Sequence, residues 1–104
     1  MKYAIVFVTV SKHEEAKKIA RILVEKKLAS CVNIISGIDS IYRWQGKIEE
    51  SSEVLLMAKT KGSLWRRLTE EVKKNHSYDT PEIIFLPVSR GLRKYLDWID
   101  ESLK

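Results

Sequence analysis

The sequence predicts an α+β fold: a four-stranded antiparallel sheet with two helices on one face and a further helix at the C-terminus. Three observations carry that expectation. Segments rich in β-branched residues alternate with segments of helical apolar spacing in the order β-α-β-β-α-β-α. The two middle strands meet at a short glycine turn, Gln45-Gly46, so they form a hairpin. Crossovers between strands of one sheet are right-handed, which places the two connecting helices on the same face. This is the split β-α-β, ferredoxin-like pattern with an added C-terminal helix.

Each element has its own signal. Residues 2–10 carry β-branched and aromatic side chains without a helical period, and Ser11 with Glu14 reads as a capping box that opens a helix. In that helix Ile19, Ala20, Leu23 and Val24 make one apolar stripe, and it is expected to end near Lys27. Cys31 to Trp44 is a long strand with a bulge or bend at Ser36-Gly37. Its partner runs from Lys47 to Thr60, with Val54 to Ala58 apolar on both faces. A second helix starts at Gly62-Ser63 with Leu64, Trp65, Leu68 and Val72 inward; Pro81 precedes a fourth strand from Glu82 to Val88. The third helix has Leu92, Tyr95, Leu96, Ile99 and Leu103 at helical spacing. The hairpin strands are far longer than the usual ~5–6 residues, so their ends should overhang the body. With Ile38, Ile41, Tyr42 and Trp44 in the overhang, partner subunits are the expected cover.

Composition narrows the function. The chain has 104 residues, 44% hydrophobic and 32% charged, which fits one globular domain over residues 1–104. A lone cysteine, Cys31, closes no internal disulfide and points to a reducing, cytoplasmic setting. The apolar start resembles a signal peptide in part, but no small-residue cleavage site follows, and no run reaches the ~18 residues of a membrane span. The net charge of +5 is spread among interleaved acids, so neither nucleic acid nor membrane is an expected partner. No motif joins Cys31 or a serine to a base, and no glycine-rich turn cradles a phosphate, so an enzyme is not expected.

The remaining candidates lie in Asn75 to Glu82, a loop holding an imidazole, a phenol and two carboxylates. His13, Cys31, His76, Asp79 and Glu82 are metal-capable, but no spacing among them matches a zinc or blue-copper set. Read locally, Tyr78 and Pro81 fix the turn and His76 caps the carbonyls of the second helix. His13 reads as a solvated residue, Cys31 as a small buried hydrophobe, and Trp44 as packing at a core or interface rather than a ligand-stacking surface.

Five blocks then carry a resemblance over essentially the whole chain: Leu28 to Asn33, Ser40 to Glu49, Glu53 to Thr60, His76 to Ile84 and Tyr95 to Ile99. In order and spacing they resemble the CutA1 divalent-cation-tolerance family. The resemblance implies a ferredoxin-like subunit in a homotrimer, related in architecture to the PII signalling proteins, and a link to tolerance of copper and other divalent cations. It also implies an inter-subunit ligand cleft drawing on Trp44, Lys59, His76, Tyr78 and Glu82. Ser77 replaces the proline usual in the family's loop, and Val8 and Asn75 stand where some members carry a cysteine and a second histidine. The metal site expected here is therefore weak and built around His76 with oxygen donors from Asp79 or Glu82, copper being the metal implied. The expected function is a non-enzymatic trimer binding divalent cations at or near the cleft. The alternative is a PII-like sensor or adaptor in which Lys59 recognises a small anionic ligand. An RNA-recognition module shares the fold but stacks bases on aromatics of its central strands, and Val54 to Thr60 has none.

Overall fold

The computed structural model describes all 104 residues. Its elements are β1 (Tyr3–Val10), α1 (His13–Glu25), β2 (Cys31–Trp44), β3 (Lys47–Lys61), a 3₁₀ turn (Gly62–Leu64), α2 (Trp65–Asn75), β4 (Ile83–Pro87) and α3 (Arg93–Ser102). They form an antiparallel sheet in the order β2-β3-β1-β4, the α+β architecture expected from the sequence. Period-2 alternation decides the two faces. Ala4, Val6, Val8 and Val10 of β1 stand opposite Thr60, Ala58, Leu56 and Val54 of β3, and all eight are buried. Against this face α1 and α2 lay Ala16, Ile19, Leu23, Leu68 and Val72 to complete the main core. Thr60, fully buried, donates its hydroxyl proton to the Leu28 carbonyl at 2.6 Å, which removes the penalty of a polar group in that core.

The other face carries the odd-numbered residues of β1 and β3 and is covered only at one end. There α3 seats Leu96 and Ile99 on Tyr3, and the Tyr3 hydroxyl donates to Asp100 at 2.7 Å. That hydrogen bond, with help from Lys61 at 3.1 Å, holds the Asp100 carboxyl below the ordinary carboxylate range. Beyond α3 the face is apolar, with Phe7 between Met57 and Ile84 and with Ile5 beside Leu86.

The hairpin is built as the sequence indicates. A register shift between Ile35 and Ile38 marks the bulge, with Gly37 at φ 76°. Gln45 and Gly46, at φ 49° and 78°, form the two-residue turn whose twist suits a hairpin. β1 reaches only as far as Val54, so Ile38–Trp44 and Lys47–Glu53 pair with each other alone. The overhang stretches the molecule to 44 × 25 × 23 Å.

Several local expectations are corrected. There is no capping box: α1 begins at His13 with Lys12 extended at its N-cap and no side-chain cap, so Ser11 falls outside. Val24 is 42% exposed, because Ala16 rather than Val24 completes the α1 stripe. The second helix opens as a 3₁₀ turn, which winds at three residues per turn and shifts the phase. Trp65 is thereby turned outward, 53% exposed, with the Arg66 guanidinium 5.8 Å from its ring. Leu92 and Tyr95 are also exposed, leaving Leu96 and Ile99 as the buried residues of α3.

Candidate functional site: an acidic cavity beside the hairpin

The loop from α2 to β4 folds back over the start of the overhang, and His76 holds it there. The imidazole side chain has no exposure to solvent. Its Nε2–H donates to the Thr9 carbonyl at 2.8 Å, and its Nδ1 accepts the Tyr78 backbone N–H at 3.0 Å. These two bonds define a neutral ring with the proton on Nε2. Glu15 of α1 adds a third tie, accepting the Ser77 N–H at 3.2 Å and lying 3.5 Å from Nδ1. His76 therefore does not cap the carbonyls of α2; Asn75 Nδ2 donates to the Glu71 carbonyl instead.

With its backbone pinned, Tyr78 packs on His76, ring centroids 4.8 Å apart, and reaches across to β3. Its hydroxyl donates to Glu53 Oε2 at 2.8 Å. Burial, then the Glu53 hydrogen bond and charge, push the phenol up to about 12. Between this loop and the hairpin lies a cavity of about 680 Å³. Four carboxylates line it, Asp39, Glu53, Asp79 and Glu82, together with Ile41, Tyr42, Trp44 and Tyr78. No lysine, arginine or histidine is in its lining, and none of the four acids belongs to an ion pair. Removal from water, with the Glu53 charge second, raises the Glu82 carboxyl above its ordinary range.

The structure brings Trp44, Tyr78, Asp79 and Glu82 to one cavity and sets His76 beneath it. Lys59 is not part of it: alternation from buried Thr60 turns Lys59 to the open sheet face, opposite Ile5 and Cys31. The copper set drawn around His76 does not fit either. A ligating imidazole must offer a lone pair, and here one nitrogen carries the proton given to Thr9 while the other accepts from Tyr78. Within the chain no three His, Cys, Asp or Glu side chains converge to hold one ion, so His76, Asp79 and Glu82 form no three-ligand centre. Asp39 and Glu53 were the acids that sequence reasoning missed. The one available signal was Glu53 abutting the apolar run Val54 to Ala58, where a charge is out of place.

The class defined by this architecture is a ferredoxin-like α+β subunit with an overhanging hairpin and an acidic cavity at its root. Residues 4–102 match the family described as CutA1 divalent ion tolerance protein. The chain is 50% identical over 100 residues to the chloroplastic protein CutA of Arabidopsis thaliana, covering 96% of this chain and 55% of that one. It is 49% identical over 98 residues to the divalent-cation tolerance protein CutA of Thermus thermophilus, covering 94% and 95%. It superimposes on the structure of the periplasmic divalent cation tolerance protein CutA from Archaeoglobus fulgidus with a TM-score of 0.95 at 44% identity, covering 98% and 99%. The chain spans about half the length of the plant relatives. It belongs to the CutA1 family.

Proposed function

We propose that this chain is a non-enzymatic, homotrimeric divalent-cation tolerance protein that collects cations by charge at the acidic cavity, beside a cleft between subunits. The observation that carries the reading is the set of four carboxylates without a cationic neighbour in a chain whose net charge is +5. Oxygen donors suit hard divalent ions, so copper is held weakly and not through His76. Water and a neighbouring subunit complete the coordination that one subunit leaves open. The trimer is supported by the uncovered face around Phe7, Met57 and Ile84 and by the overhang, which cyclic association covers while removing exposed edges. No helix is long and apolar enough to cross a membrane, and the single Cys31 favours the cytoplasm, although relatives are named chloroplastic and periplasmic. A PII-like sensor taking a small anionic ligand through Lys59 would use the open sheet face that carries Lys59 and not this cavity, whose four carboxylates repel an anion.

Light scattering and equilibrium dialysis test this reading together. Expected are a mass of three 12.1 kDa subunits, and retention of Mn²⁺ and Cu²⁺ that falls in an Asp79→Asn/Glu82→Gln double variant. A monomer, or unchanged retention by the double variant, overturns it; in the second case His13 becomes the residue to examine.

A further inference from the structure

One nitrogen of His76 has two claimants. The side chain is wholly shielded from solvent, and its two nitrogens do different work. Nε2–H donates to the Thr9 carbonyl of β1 at 2.8 Å, a bond open to the neutral and the protonated ring alike. Nδ1 accepts the Tyr78 N–H at 3.0 Å, a bond that only the neutral ring can make. Close to the same Nδ1, at 3.5 Å, lies Oε2 of Glu15 on α1. Glu15 pairs with no lysine or arginine, and its one hydrogen bond comes from the Ser77 N–H at 3.2 Å. The remaining groups around the ring add no positive charge. Tyr78 packs on it, Glu53 of β3 and Tyr42 of β2 lie by the Tyr78 phenol, β1 presents a carbonyl, and Asn75 at the end of α2 is bound to its own helix. Burial therefore opposes a charge on the imidazole while Glu15 favours it, and Nδ1 is the atom on which the two are decided.

We propose that His76 is a proton-operated catch on the loop between α2 and β4. A proton taken up at Nδ1 turns that nitrogen from acceptor to donor. It then gives a charge-assisted hydrogen bond to Glu15 Oε2, and the Tyr78 N–H loses its acceptor. The Thr9 bond persists in both states, so the ring keeps its place on β1 while the loop is let go. Release of the Tyr78 backbone draws its hydroxyl from Glu53 and frees Tyr78 to Glu82, the segment that sets Asp79 and Glu82 in the cavity wall. Loss of the proton restores the catch. The device rests on contacts within one subunit and not on what the cavity holds.

Two nuclear magnetic resonance readouts on the full chain test the catch, from about pH 8 down to about pH 5, the range in which histidines change charge. Imidazole nitrogen shifts report which ring nitrogen of His76 carries a proton, and amide hydrogen exchange, expressed as a protection factor, reports whether the Tyr78 N–H is held. At the alkaline end the proton is expected on Nε2 alone, with the Tyr78 amide protected. On acidification Nδ1 gains a proton, and Tyr78 protection falls roughly tenfold or more at the same midpoint, the consequence of losing one buried hydrogen bond. The amides of β1, in the interior of the sheet, keep theirs, which separates release of the loop from unfolding. In Glu15→Gln, which keeps the size of the side chain and removes its charge, both changes are expected at lower pH. A His76 ring that takes up the proton with Tyr78 protection unchanged overturns the inference. So does a ring that stays neutral to about pH 5, or a midpoint that Glu15→Gln leaves in place. Neither readout involves a bound cation, so a failure here leaves the cation reading intact.

Discussion

The helix-backed body and the overhanging hairpin obey opposite rules. In the body, polar groups that enter the core are satisfied: Thr60 gives its proton to Leu28, and His76 spends both ring nitrogens on backbone groups. Along the overhang, four carboxylates line a cavity without a cationic side chain, and Ile41, Trp44 and Ile48 stand more than half exposed. A folded subunit thus keeps its main buried core in one region and gathers unpaired carboxylates, with part of its exposed apolar surface, in the other. The contrast teaches that His76, the most ligand-like residue in the sequence, serves the body: it anchors the loop that shapes the cavity.

The largest effect expected from this contrast separates two truncations. Leu68→Ala removes a fully buried side chain between α2 and the sheet and should lower stability by about 2–5 kcal/mol in denaturant unfolding. Trp44→Ala should leave the far-ultraviolet spectrum of the subunit unchanged, yet raise the concentration at which light scattering first detects monomer. A Trp44→Ala trimer as persistent as the parent would remove that residue as an interface anchor.

The Tyr78–Glu53 tie gives the next effect, visible only in alkali. A phenol whose folded pKa is raised stabilises the fold fully below its unfolded value of about 10. It loses that contribution as pH rises through the folded value of about 12. Parent stability should therefore fall between pH ~10 and ~12 more steeply than that of Tyr78→Phe, which has no proton to lose. Parallel profiles would mean that the hydroxyl is not held by Glu53.

The smallest effect concerns Glu82. Its carboxyl is raised by desolvation and by Glu53, so its stabilising contribution belongs to the protonated form, present below the unfolded value near 4.5 and lost as pH climbs through the raised folded value. Glu82→Gln should then unfold at a slightly higher temperature than the parent at pH 7 and at the same temperature near pH ~4. The same substitution should weaken cation binding, so stability and binding move in opposite directions at one residue. A lower melting temperature at pH 7 would show that the Glu82 charge is already compensated.

Much of this was readable from residue patterns because it depends on short-range periodicity. The buried alternation of β1, the bulge at Gly37, the Gln45-Gly46 turn and the Leu68–Val72 stripe each follow from neighbours within a few positions. Lys59 was readable too: period two from buried Thr60 already assigns it to the face away from the helices. Trp65 was not, since a 3₁₀ turn ahead of α2 changes the winding that the helical period assumes. The use of the His76 nitrogens and the burial of Glu53 lay beyond the pattern for a different reason. They depend on contacts to Thr9 and Tyr78, 67 and 25 positions away, made when the loop folds over the hairpin.

Paramagnetic broadening of backbone amide signals on addition of substoichiometric Mn²⁺ locates the bound cation, since the effect falls steeply with distance from the ion. The amides of Asp39 to Trp44, Glu53 and Tyr78 to Glu82 are expected to broaden first, with those of His13 and the outer face of α1 unaffected. Broadening that begins around His13, or that is uniform over the surface, would contradict it.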